Sequence, residues 1–122
     1  MWEVKKTTFL DVPLTVMLGK ENEKAPSRSG HNDTSSGGVF YDEEDKELKI
    51  YFKGLVKDYV LIHEVYHCFC AAMILIGDQS NSWEEVTKEI YAYNFHSLYN
   101  LVLETVTTMK SYKKMWKEKD TI

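Results

Sequence analysis

Cysteine and proline are scarce in this chain of 122 residues, which carries two of each. Cys68 and Cys70 lie two apart on an apolar segment that reads as a helix, where that spacing sends side chains to different faces, so they should not bridge each other. No other cysteine is available to either. A disulfide framework is therefore excluded, and a reducing compartment suits the composition. An excess of positive charge is also missing: 15 Lys and Arg stand against 19 Asp and Glu, for a formal net charge of -4. That balance disfavours a general nucleic-acid binder. The one basic concentration, Lys110, Lys113, Lys114, Lys117 and Lys119, reads as a solvated helix end with favourable dipole placement. Residues 1–6 contain no apolar signal-peptide core. The longest apolar-rich stretch, 59–76, is interrupted by His63, Glu64 and His67, so it reads as a buried helix rather than a membrane span. A cytoplasmic protein is expected. There are no internal repeats.

What is present suffices for one folded domain. Hydrophobic residues make up 43% and aromatics 13% of the chain, well above a disordered composition. Residues 2–10 read weakly as a strand. Val12, Leu14, Val16 and Leu18 alternate cleanly, with Pro13 near the start as at an edge or a strand beginning. Residues 19–38 are polar and rich in Ser, Asn, Lys and Gly, and read as a long mobile loop, a candidate lid. Val39, Phe40 and Tyr41 form a short strand. The charged turn 42–46 then leads into a strand over 47–52, closing a hairpin that Gly54 breaks. A buried helix is predicted over 55–76, ended by Gly77 as its C′ residue. Ser82 and Glu85 match a capping box opening a second helix from Trp83 to about Met109. The expected class is α+β: a small antiparallel sheet, built from the N-terminal strands and the hairpin, packed on a two-helix core. One domain spans 1–109, followed by a basic polar tail over 110–122.

The informative motif is His63-Glu64-Val65-Tyr66-His67. Residues four apart share a helix face, with Cβ atoms roughly 5–6 Å apart. Two imidazoles so placed reach one Zn²⁺ at about 2.0–2.1 Å each. Glu64, one residue on, points to the flank of the ion, where a carboxylate takes a proton from a water. Val60, Leu61, Ile62, Val65, Cys68 and Phe69 surround the triplet, and burying three ionisable groups among them without a partner is costly. The long form HExxHxxGxxH is excluded by Cys70 and Met73, so a third ligand is expected from the second helix. The chain climbs about 13–14 Å from His67 to Ile76 and must descend as far after the turn. Glu89, about 10 Å below Ser82, is the first choice. Glu85 is the alternative, although capping already occupies it. Tyr93 is either a core residue or a hydroxyl that polarises a substrate carbonyl. His96 lines the cleft or simply packs, and His31 reads as a solvated loop residue.

HEVYH followed by Glu89-Ile90-Tyr91-Ala92-Tyr93 resembles the gluzincin arrangement, and is especially similar to short phage- and prophage-encoded HExxH proteins. The matching pieces are Tyr41-Asp42, the strand 47–52, Leu61-Ile62-His63-Glu64 with His67, and Glu89 with Ala92-Tyr93. The resemblance covers roughly residues 38–105. It implies a zincin-like core, zinc as cofactor, and a metallopeptidase-type hydrolase in the cytoplasm of a bacterial host. Its substrate would be a peptide or protein, paired by its backbone along the strand from Leu48 to Phe52. No second subdomain is present to form the far wall of a cleft. The alternative is therefore a phage-type zinc-stabilised protein that binds or inhibits a host protein without peptidase activity. A zinc deaminase ranks low, because Cys68 and Cys70 lack the required C-x-x-C spacing.

Overall fold

The computed structural model describes residues 1–26, 36–77 and 89–120. Strand β1 (Glu3–Phe9) turns at Leu10 and Asp11, both at positive φ, into β2 (Val12–Gly19). Positive φ at both central residues matches the type I′ geometry that suits the twist of a two-residue hairpin. Strand β3 (Gly37–Asp42) and β4 (Glu47–Lys53) form the second hairpin. Asp42 shapes its turn: Oδ1 accepts hydrogen bonds from the backbone N–H groups of Glu44 and Asp45 at 3.0 and 3.1 Å. Those bonds, led by the one from Asp45, and the Lys49 ammonium at 3.1 Å hold the Asp42 carboxyl below its ordinary range.

The sheet order is β1-β2-β4-β3. Both hairpins are antiparallel, as expected, but β2 pairs with β4 in parallel, with Leu14 beside Leu48 and Leu18 beside Phe52. The sheet is mixed, which corrects the purely antiparallel expectation. The cause is insertion: β3 runs out to the edge, and its hairpin partner returns between β3 and β2. Strand β4 is consequently interior, with Ile50, Tyr51 and Phe52 each fully buried.

Helix α1 (Asp58–Leu75) starts three residues later than predicted, because Gly54 takes φ 73° and Lys57 is still extended. Leu61, Val65, Cys68 and Ala72 recur at helical spacing and are buried with Leu14, Val16, Leu48 and Ile50 of the sheet. By length and composition α1 passes as a membrane span, with a mean hydropathy of 1.2. Only 33% of it is buried, and Tyr59, Ile62, Tyr66 and Ile74 are exposed, so the helix is less enclosed than the sequence predicts. Gly77, at φ 82°, donates to the Ile74 carbonyl and ends the helix in the left-handed conformation that glycine favours. Helix α2 (Glu89–Thr107) follows, burying Leu98, Val102 and Val106. The predicted start of this helix, with Ser82 and Glu85, lies outside the described residues.

The lysine-rich segment is helical, α3 (Lys110–Asp120). Met109 is buried, and Tyr112 and Met115 pack on the core at three-residue steps. Glu3 of β1 receives its N-terminus: Oε1 accepts from the Ser111 N–H at 2.8 Å and hydroxyl at 2.5 Å, and Oε2 accepts from the Lys110 N–H at 3.2 Å. The described start of the long connection lies beside the sheet ends, with Glu23 Oε2 2.7 Å from the N-terminal ammonium.

Partial burial disfavours ionised Glu3, but the hydrogen bonds from Ser111 and Lys110 outweigh it and lower its pKa. A folded pKa below the unfolded one gives stabilisation that is complete above the unfolded value and fades as pH falls through the folded one. Glu3→Gln should destabilise the protein at pH 7 by up to about 1 kcal/mol, the scale of a capping bond discounted for solvent. Urea titrations should show the gap between variant and parent closing as the pH drops below the ordinary carboxylate range.

Candidate functional site

Two faces of α1 meet at the motif. Glu64 is turned inward, with only 6% of its surface exposed, while His63 and His67 stand on the outer side. The two imidazoles converge: His63 Nε2 and His67 Nε2 are 3.1 Å apart, with ring centroids at 4.7 Å and planes crossing at 78°. At that distance either one ring donates to the other or both nitrogens share a cation.

Glu64 is placed by a glycine. Gly37, the first residue of β3, packs on its stem: a Cβ at residue 37 would stand 3.1 Å from Glu64 Cγ and 2.9 Å from the Tyr51 carbonyl oxygen. Only a residue without a side chain lets β3 and α1 approach this closely. The carboxylate that results is buried, and its Oε1 has no hydrogen-bond partner among the described residues. Leaving a buried carboxylate oxygen unpaired costs stability, so a native protein that keeps one commonly has a use for it. Glu64 and His67 share a cleft of about 360 Å³ with Val39, Phe40 and Tyr41 of β3 and with Ala71. Strand β3 is an edge of the sheet, so the cleft lies between an edge strand and the motif helix.

Against known proteins, no family model, no curated protein and no solved structure matches this chain.

The fit to a zinc ion is therefore tested on geometry. Two nitrogens about 2.0–2.1 Å from one tetrahedral ion stand roughly 3.3–3.4 Å apart, close to the separation seen here. The histidines thus fit as two ligands, and Glu64 shares the cleft with His67. The third ligand does not appear: among the described residues no set of three His, Cys, Asp or Glu side chains is placed to hold a metal. Glu89 is exposed at the first turn of α2. Tyr91 and Phe95 face α1, their rings 6.2 and 5.7 Å from Phe69. A step of two residues turns a helix by about 200°, so Glu89 and Tyr93 project away from that contact. Tyr93 is 67% exposed, so it does not pack in the core. His96 shares that outer face and contacts Asn100 at 3.3 Å. Glu85 and His31 lie outside the described residues.

Substrate pairing along residues 48–52 is also corrected, since β4 is enclosed by β2 and β3. The strand available to an extended ligand near the motif is β3. Its contribution went unpredicted, although the Gly37-Gly38 pair preceding Val39 was the available signal of a close approach. Residues 20–26 do not line this cleft. Cys68 is not a candidate nucleophile, because burial pushes its thiol up to about 12.

Gly37→Ala tests the placement of Glu64. The Tyr51 carbonyl cannot yield as a flexible side chain does, so β3 or Glu64 must shift. A loss of about 1–3 kcal/mol, typical of overpacking, is expected in thermal unfolding. A variant as stable as the parent would contradict the contact.

Proposed function

We propose that the chain is a zinc-dependent hydrolase of peptide bonds, with His63 and His67 as ligands and Glu64 as general base. The observation that carries this reading is the junction of a converging imidazole pair with a buried, unpaired carboxylate oxygen on the adjacent helix position. Zinc, when bound, acidifies a water and polarises a carbonyl. Glu64 would serve as the base, accepting a proton from the attacking water and handing it to the leaving amine. Its enclosure against Gly37 keeps the carboxylate in one orientation, which favours proton transfer at a set distance. The edge of β3 offers backbone groups to an extended peptide or protein substrate, and Tyr41 and Phe40 border the cleft in which it would lie. A host-cell protein in a bacterial cytoplasm is the partner proposed, on the resemblance of the motif to phage-type proteins.

A second reading keeps the metal and drops the chemistry, making the chain a zinc-stabilised binding protein. Glu89 faces solvent, so among the described residues the ligand set is short of the three protein ligands of a catalytic zinc and of the four of a structural one.

Zinc stoichiometry and casein hydrolysis, measured together, separate the readings. One equivalent of zinc is expected in the parent and a loss in His63→Ala. Glu64→Gln should keep the zinc and lose hydrolysis by about 10²–10⁴-fold, the scale of a general base. Retained zinc with no hydrolysis in the parent, together with a fall in melting temperature on chelation, favours the binding protein. Zinc uptake unchanged in His63→Ala overturns both.

A further inference from the structure

Helix α3 concentrates charge of the sign the chain otherwise lacks. Its five lysines against Glu118 and Asp120 give it a formal charge of +3, so with -4 for the whole the remaining residues carry -7. The lysines do not stand alone. Tyr112 and Trp116, four residues apart, hold their rings nearly parallel, with planes at 15° and centroids at 6.5 Å. Both rings line an apolar cleft of about 460 Å³ at the junction with the end of α2, where Thr107 forms one side and Lys113 and Lys117 the rim. Trp116 is 48% exposed, and the Lys119 ammonium stands 4.5 Å from its ring centroid.

We propose that this face of α3 binds single-stranded nucleic acid, a base stacking in the Tyr112–Trp116 cleft and phosphates lying on Lys113 and Lys117. Parallel aromatic rings select a flat ligand, and the lysine pair beside them selects an anionic one. A strand of nucleotides supplies both at a repeating interval. Lys113 and Lys117, one turn apart beside the rings, are spaced by about 6 Å along the axis, about the step between successive phosphates. An acidic peptide would satisfy the lysines but leave the rings without a planar partner. An anionic membrane is a poorer match, because an interfacial helix needs a free apolar face, and α3 uses Met115 and part of Tyr112 against the core. The net negative charge of the remaining chain restricts the contact to this helix and makes weak, salt-sensitive binding the expected form.

Fluorescence anisotropy of a labelled 20-nucleotide oligo(dT) with the full chain at 50 mM NaCl tests this. Saturable binding is expected, weakening with salt by a log–log slope of roughly -0.7 per phosphate engaged. Trp116→Ala should weaken it about tenfold with the slope unchanged, as loss of one stacked base does. Lys113→Glu with Lys117→Glu should weaken it and make the slope shallower by about 1.4. Circular dichroism of both variants confirms the fold, and the lysine pair is solvent-exposed and expected to be tolerated. No binding by the folded parent overturns the proposal. So does binding that Trp116→Ala leaves unchanged, or tighter binding to phosphatidylserine vesicles that the same variants abolish.

Discussion

The approach of α1 to β3 at Gly37 is the constraint on which the site depends. With no side chain at residue 37, the stem of Glu64 lies against the strand, and the carboxylate is drawn under the protein surface. The phase of α1 is then set, because Leu61, Val65, Cys68 and Ala72 must occupy the core at the same time. Once that phase is fixed, His63 and His67 have one place to go, the outer shoulder of the helix, where their Nε2 atoms converge. Core burial, a bare glycine and a 3.6-residue period thus act together to separate a buried carboxylate from two exposed imidazoles.

Sheet topology supplies the other half of the arrangement. Had β4 been the outermost strand, its Ile50, Tyr51 and Phe52 would have met solvent. Insertion between β2 and β3 encloses them and leaves β3 as the margin beside the motif. The same insertion brings β4 parallel to β2 and points both strand ends toward the start of α1. A central strand buried on both faces stiffens the platform on which α1 rests.

Much of this was legible in the residues. Alternation of Val12, Leu14, Val16 and Leu18 marked β2, the charged run after Tyr41 marked a hairpin turn, and Gly54 and Gly77 marked conformational breaks. The histidine spacing placed two rings on one face. Pairing direction was not legible, because hairpin signals describe neighbours in sequence and say nothing of which strand fills the gap beside β2. The azimuth of Glu89 was not legible for a related reason. Helix rise gives the level of a residue along the axis, but its azimuth is set by tertiary contact, and Tyr91 and Phe95 claim the face toward α1. In α3 the lysines obscured the three-residue spacing of Met109, Tyr112 and Met115, which carries the docking. Charge is conspicuous in a sequence, yet a narrow apolar stripe decides whether a helix is held.

The central claim is that both imidazoles bind one metal ion through Nε2. Zinc K-edge X-ray absorption on the zinc-loaded protein tests it most directly. The account predicts scattering from two histidine rings at about 2.0–2.1 Å, reduced to one in His67→Ala. A first shell dominated by sulfur at about 2.3 Å, or one free of imidazole, would contradict it.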